Sequence, residues 1–177
     1  MVFAMSRTAC AVLALLAFVA LLIVQGNLPW AEREQSGFGA TAKETLHTWD
    51  AEESGSAFGV SGSDRRGYYD GGWDDEDQNA VTQLQIGAPA LVAGTVLLLV
   101  GTILSFTSRG SQGAIVTLVG GILAAAGTLL YYLAAQDLLD NDATWLVGFY
   151  LALTAAILGL AGGVVGLAAG NMRGAAN

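Results

Sequence analysis

The chain has 177 residues, of which 54% are hydrophobic, and it carries 15 Asp and Glu against 7 Lys and Arg, for a formal net charge of -8. The apolar residues form long uncharged runs and the acids lie between those runs, which is typical of a membrane protein rather than of one soluble domain. No basic patch is present to neutralise phosphates, which excludes a nucleic-acid partner. Cys10 is the only cysteine, which excludes a disulfide scaffold.

Four uncharged stretches are long enough, or nearly long enough, to cross a hydrocarbon core of roughly 30 Å as helices. They cover residues 8–24, 86–106, 114–134 and 146–169, and none contains Asp, Glu, Lys, Arg or His. The sequence therefore predicts an all-α membrane protein, a bundle of four transmembrane helices that forms a single integral membrane domain over residues 1–177. The lipid bilayer is its first expected partner.

Residues 25–85, between the first two spans, form a large acidic loop. Its first half has short apolar stretches around Leu46 and Phe58, which favour a small β-hairpin. Its second half has little apolar surface to bury and is typical of a mobile loop.

The charges between the spans predict the orientation of the chain. Arg7, Arg109 and Arg173 all fall on one side of the membrane, and no acid accompanies them. Cytoplasmic segments hold Arg and Lys, whereas translocated segments need not. The sequence therefore predicts a multi-pass protein of the cell membrane, with both termini in the cytoplasm and the acidic loop outside.

The first span admits a second interpretation. It is the shortest of the four, and it follows a short segment that ends in Arg7, the pattern of a secretory signal that is cleaved after Gly26. The retained helix is preferred because Leu28, Pro29 and Trp30 resemble an anchor at the membrane interface. The other aromatic residues near the proposed outer boundary have the same interpretation: Tyr131, Tyr132, Trp145, Phe149 and Tyr150.

The glycines of the last three spans predict where helices pack, because membrane helices associate closely at small residues. Seven-residue repeats run through the second and third spans, and spacings of four run through the fourth. The two repeats are expected to face each other or a shared neighbour. The fourth span serves either packing within the bundle or contact with a second copy or another membrane subunit. The predicted packing residues are Gly87, Gly94, Gly101, Gly113, Gly120, Gly127, Gly159, Gly162, Gly163, Gly166 and Gly170.

No motif for catalysis, cofactor binding or metal binding is present, so an enzyme is not expected. The acids at Asp70 and at residues 74–77 raise the possibility of a bound calcium ion, but they lack the D-x-D-x-D-G spacing that wraps one ion. His47 is the only histidine, and a surface position is expected for it.

Two resemblances extend this interpretation. With one Lys against six Arg and abundant Asp, Ala and Gly, the composition resembles that of membrane proteins from halophilic archaea, in which acidity reflects the salt of the habitat. The topology resembles that of the claudin-like four-span proteins, with Trp30 just after the first span and Trp49 at the family's second loop tryptophan. The paired loop cysteines of that family are missing, and its G-L-W reads here as His47, Thr48 and Trp49. The second resemblance therefore implies an architecture and no function.

Three functions are compatible with the sequence. The first expectation is a structural or accessory subunit that acts through helix–helix and external-loop contacts. An oligomeric channel or transporter component is the alternative, although the spans carry no ionisable residue for an ion pathway. A sensor that binds an external ligand or cation is the third.

Overall fold

The computed structural model describes residues 2–107, 110–139 and 142–174, and the side chains within those ranges from residue 8 to residue 169, Gly110 excepted. These ranges contain four helices and five strands. In order they are α1 Val2–Val24, β1 Pro29–Gly37, β2 Ala40–His47, β3 Asp50–Ala57, β4 Val60–Gly67, α2 Gln78–Ser105, α3 Gly110–Leu138, β5 Thr144–Trp145 and α4 Val147–Gly174.

The helices pack as a four-membered bundle. α1 lies against α2 and α4, and α3 lies against the same two helices from the opposite corner. Three helical segments are long and apolar enough to cross a membrane, namely Gln78–Ser105, Ser111–Leu138 and Val147–Ala169, with mean hydropathies of 2.1, 2.0 and 2.1. The described part of α1 contributes a shorter apolar segment, Thr8–Val24.

The prediction of an all-α protein with four transmembrane helices is wrong. Among the described residues three helices, not four, are long and apolar enough to span a membrane, and the acidic loop folds into an antiparallel sheet. The fold is α+β, with strand order β4-β3-β2-β1-β5. β1 to β4 follow one another as a meander. The short strand β5 comes from the connection between α3 and α4, and it pairs with the base of β1 through Ala31 and Trp145. The segment expected to be a mobile loop contains β4 except for its first residue, Val60.

The sequence predicts only a small hairpin here, and the rest of the sheet was missed because most of it is exposed to solvent on both faces. Alternation of apolar and polar residues marks a strand only when one face is buried. Here burial is confined to the end of the sheet next to the bundle, where Ala31, Leu46 and Ala51 are buried. Beyond that base, β1 and β3 become exposed towards their far ends. The sheet therefore packs against the bundle through its buried end, which we call its base.

Candidate functional site

The turn between β2 and β3 attaches the sheet to the bundle. It holds Thr48, which is completely buried although it is polar. Its hydroxyl accepts a hydrogen bond from Trp30 Nε1 at 3.0 Å and donates one to the carbonyl oxygen of Val24 at 2.6 Å. Thr48 therefore joins the last residue of α1 to the first strand.

Two tyrosines hold the same turn from other directions. The Tyr131 hydroxyl, on α3, donates to the Thr48 carbonyl oxygen. The Tyr68 hydroxyl, just after β4, donates to the carbonyl oxygens of His47 and Asp50 at 2.6 and 2.8 Å. Burial raises the pKa of Tyr68 well above its ordinary value, so this hydroxyl remains a donor.

Trp30 and Tyr131 stack at a ring-centroid distance of 4.2 Å. Each is 1% exposed, so the prediction that they anchor the chain at the membrane interface is wrong. They instead form the buried aromatic centre between the sheet and the bundle. We call Trp30, Thr48, Tyr68 and Tyr131 the junction cluster.

The residues that follow α1 add further hydrogen bonds between the sheet and the bundle. Asn27 adopts a left-handed conformation, with φ of +63°, and its side-chain oxygen accepts from the Trp49 backbone N–H at 3.1 Å. Trp49 Nε1 donates to the Gln25 carbonyl oxygen at 3.0 Å. The Gln25 side chain donates in turn to Thr95 Oγ1 on α2 at 2.6 Å. The base of the sheet is thus tied to α1, α2 and α3 by hydrogen bonds to named groups.

One face of the sheet carries a row of charges that runs straight across four strands. Arg33, Glu44, Glu53 and Asp64 are successive cross-strand partners in the register of β1 to β4. Arg33 pairs with Glu44 at 3.2 Å. The remaining neighbours are like charges, which destabilise a sheet when they lie directly opposite each other.

Ionised Glu44 carries an electrostatic cost in this row. Burial, followed by the nearby carboxylates of Glu53 and Asp77, raises the pKa of Glu44, while Arg33 acts in the opposite direction. A pKa raised above the ordinary 4.5 means that folding favours the protonated carboxyl. The stability associated with Glu44 is therefore fully present below pH 4.5 and is lost as the pH rises through the folded-state pKa.

Glu44→Gln is accordingly expected to raise the melting temperature at pH 7 and to leave it unchanged below pH 4. The amide keeps a hydrogen-bond acceptor for Arg33 and removes the partly buried charge. Because the site is partly solvated, the gain in unfolding free energy is below about 1 kcal/mol. Thermal unfolding at both pH values measures it, with Glu32→Gln as a control that loses its own ion pair with Lys43. A lower melting temperature for Glu44→Gln at pH 7 would mean that attraction to Arg33 outweighs burial.

The two hairpin tips lie side by side at the end of the sheet farthest from the bundle. Each two-residue turn has the sequence Phe-Gly, Phe38 with Gly39 and Phe58 with Gly59, and all four residues have positive φ. Ala40 and Ala57 are cross-strand partners, so the turns lie about 10 Å apart, or two strand spacings.

Both phenylalanines combine exposure with backbone strain. Phe38 is fully exposed and Phe58 is 91% exposed. Their φ angles of +49° and +52° belong to the left-handed region, which costs a bulky residue on the order of 1–2 kcal/mol and which Asn or Gly occupies more easily. Residues 35–42 and 54–63 around them carry no charge, although the loop as a whole is acidic. Neither folding stability nor solubility accounts for these residues.

The predicted packing glycines of α2 and α3 lie opposite one another. A Cβ at Gly94 would lie 3.0 Å from the Gly120 carbonyl oxygen, and one at Gly120 would lie 3.1 Å from that of Gly94. Two further pairs follow the same seam at its two ends: Gly101 with Gly113, and Gly87 with Gly127.

The glycines of α4 pack inside the bundle as well. Gly159 faces Gly121 of α3, and Gly163 faces Leu118 of the same helix. Gly162 and Gly166 approach α1 at Cys10. The sequence interpretation overlooked Gly121, whose added Cβ would lie 2.6 Å from the Leu160 backbone nitrogen. Four of the predicted residues lie outside the part of the chain whose side chains the structure describes: Gly170, Arg7, Arg109 and Arg173.

The acidic segment after β4 does not form an ion cage. Asp70 accepts from the Gly67 backbone N–H at 3.0 Å, which uses its side chain to close the turn. Within the described residues, no group of three or more His, Cys, Asp or Glu side chains is placed to hold a metal ion. His47 lies beside the junction cluster, with Nδ1 3.2 Å from the Asn27 carbonyl oxygen.

No protein-family model matches the chain, and no significantly similar curated protein was found. The functional argument therefore rests on the geometry of the sheet, its junction and the bundle.

Proposed function

We propose that the protein is a multi-pass membrane protein, with its sheet outside the cell and both termini in the cytoplasm. Three helical segments are long and apolar enough to cross a bilayer, and α1, whose described apolar segment is shorter, packs against two of them. The sheet and β5 leave the bundle at one end. In the sequence, Arg7 precedes the first apolar run, Arg109 separates the second from the third and Arg173 follows the last, with no acid beside them, which supports the cytoplasmic assignment of that side.

The proposed function is that of a structural or accessory subunit, which presents its external sheet to other proteins. The observation that carries this proposal is the pair of exposed, strained phenylalanines at the hairpin tips, Phe38 and Phe58. Exposed aromatic residues in an uncharged setting are typical of contact surfaces. The junction cluster supports the same role because it fixes the sheet relative to the membrane, which lowers the entropic cost of a contact at the tips.

The glycine-rich helix faces that were expected to contact other membrane proteins contribute less to this proposal. The glycine seams of α2, α3 and α4 are occupied within the bundle, so they are not free for a second copy. A channel would accordingly need a pore between copies. No catalytic role is proposed, and we infer that the acidity of the external sheet is an adaptation to a salty exterior.

Photo-crosslinking in native membranes tests the proposed contact role. Benzoylphenylalanine is introduced in place of Phe38 or Phe58. Phe106, an exposed aromatic residue at the end of α2 farthest from the sheet, is replaced in the same way as a control. We expect discrete protein adducts from positions 38 and 58 and none from position 106. If the protein leaves gentle detergent as a lone particle and neither tip position forms an adduct, the proposal is wrong.

A further inference from the structure

A groove between α3 and α4 opens sideways from the bundle, near the end that carries the sheet. Its volume is about 260 Å³. The floor is made of small side chains, Ala125, Thr128 and Ala156, and longer ones such as Leu153 and Ile157 form the walls. The Thr128 hydroxyl donates to the Ala124 carbonyl oxygen of its own helix, so it offers no free polar group to an occupant.

Aromatic rings close the groove at the end next to the sheet. Tyr132 and Phe149 belong to its lining. Trp145 stacks on Tyr132 at a centroid distance of 4.9 Å and packs at a tilt against Phe149 at 4.6 Å. The Tyr132 hydroxyl accepts from Gln136 Nε2 at 2.8 Å and so carries a polar contact above the apolar groove. Tyrosine and tryptophan favour the boundary between lipid headgroups and hydrocarbon. The groove thus begins at that boundary and continues into the hydrocarbon.

The length of the groove matches one leaflet of a bilayer. On α4 its lining extends from Phe149 to Leu160, which is about 16 Å at the helical rise. Half of a hydrocarbon core is about 15 Å. Leu160 also lies close to the middle of the apolar segment Val147–Ala169, so the groove ends near the centre of the membrane.

We infer that this groove holds one hydrocarbon chain of a lipid from the leaflet on the sheet side. Its apolar lining, its aromatic closure at the headgroup boundary and its single-leaflet length all correspond to such a chain. A helix of a second copy is about 10 Å wide and would extend across both leaflets, so it does not fit a groove that ends at mid-membrane. The inference rests on the membrane placement proposed above.

Lipid retention by the full chain tests this inference. The protein is reconstituted in dioleoylphosphatidylcholine vesicles and extracted in mild detergent, and bound lipid is counted by native mass spectrometry. We expect one retained lipid per chain for the wild type. Ala125→Leu fills the groove and is expected to reduce retention at least tenfold, whereas Ala93→Leu, on the exposed face of α2, leaves it unchanged.

A second variant separates loss of the site from loss of the fold. Leu153→Ala removes part of a wall without crowding the core, and it is expected to reduce retention severalfold while the melting temperature stays near that of the wild type. Equal retention by Ala125→Leu and wild type overturns the inference, as does a wild type that retains no lipid. A dimer that Ala125→Leu converts to monomer also overturns it, in favour of a second copy. Failure to float with vesicles would instead contradict the membrane placement.

Discussion

Thr48→Val is expected to lower the free energy of unfolding by about 2–4 kcal/mol. The substitution keeps the shape of the side chain and removes the hydroxyl that links Trp30 Nε1 to the Val24 carbonyl oxygen. Both groups then lose a buried hydrogen-bond partner, and each such loss costs about 1–3 kcal/mol. Denaturant unfolding in detergent micelles measures the change. The sheet should also become sensitive to trypsin at Arg65 and Arg66, since its attachment to the bundle is weakened.

Thr41→Val is the matched control for this prediction. Thr41 is exposed near a hairpin tip, where its hydroxyl contacts that of Ser56 at 2.8 Å. The same chemical change there is expected to shift stability by less than about 0.5 kcal/mol, because water replaces the lost partner. Equal effects at the two threonines would mean that the junction cluster does not hold the sheet on the bundle.

Gly94→Leu is expected to destabilise the bundle by about 3 kcal/mol or more. A Cβ at this position meets the Gly120 carbonyl oxygen at 3.0 Å and the Ala124 backbone nitrogen at 3.1 Å. Both atoms belong to the backbone of α3, which cannot move aside as a flexible side chain can. The helices must separate along the seam, and overpacking of a tight interface has a cost of this order.

Ala93→Leu provides the comparison for Gly94→Leu because it adds similar bulk one residue away. Ala93 lies on the exposed face of α2, where lipid would surround the longer side chain in the proposed placement. Thermal unfolding in detergent should show a change below about 0.5 kcal/mol. A similar loss of stability in both variants would contradict the role assigned to the α2–α3 seam.

The helical part of the fold was accessible to prediction because its signal is local. Each long apolar helix needs about 20 successive apolar residues, and such runs are visible directly in the sequence. The seven-residue spacing of Gly87, Gly94 and Gly101 likewise places these residues on one helix face without knowledge of the partner. α1 is the weakest case, since its described apolar segment, Thr8–Val24, is the shortest.

Most of the sheet, beyond the small hairpin that was predicted, and the junction cluster were not accessible in this way. Strands whose two faces are both exposed carry no alternation of apolar and polar residues, as in β4, where nearly every residue is exposed. The Phe-Gly turns lack the Asn-Gly or Asp-Gly pattern that indicates a hairpin. Trp30 and Tyr131 are 101 residues apart in the chain, so their stacking depends on tertiary structure that no local pattern contains. A tryptophan just after a span also looks the same in sequence whether it faces lipid or supports a sheet.

The central claim is that the acidic sheet and the two termini lie on opposite sides of a membrane. Single cysteines at Asp75 and at Arg173, each in a chain whose Cys10 is replaced by Ala, are labelled in sealed, right-side-out vesicles with a reagent that does not cross membranes. We predict that position 75 is labelled at once and that position 173 is labelled only after the vesicles are opened. Labelling of both positions from outside before the vesicles are opened, or of neither, would contradict the claim.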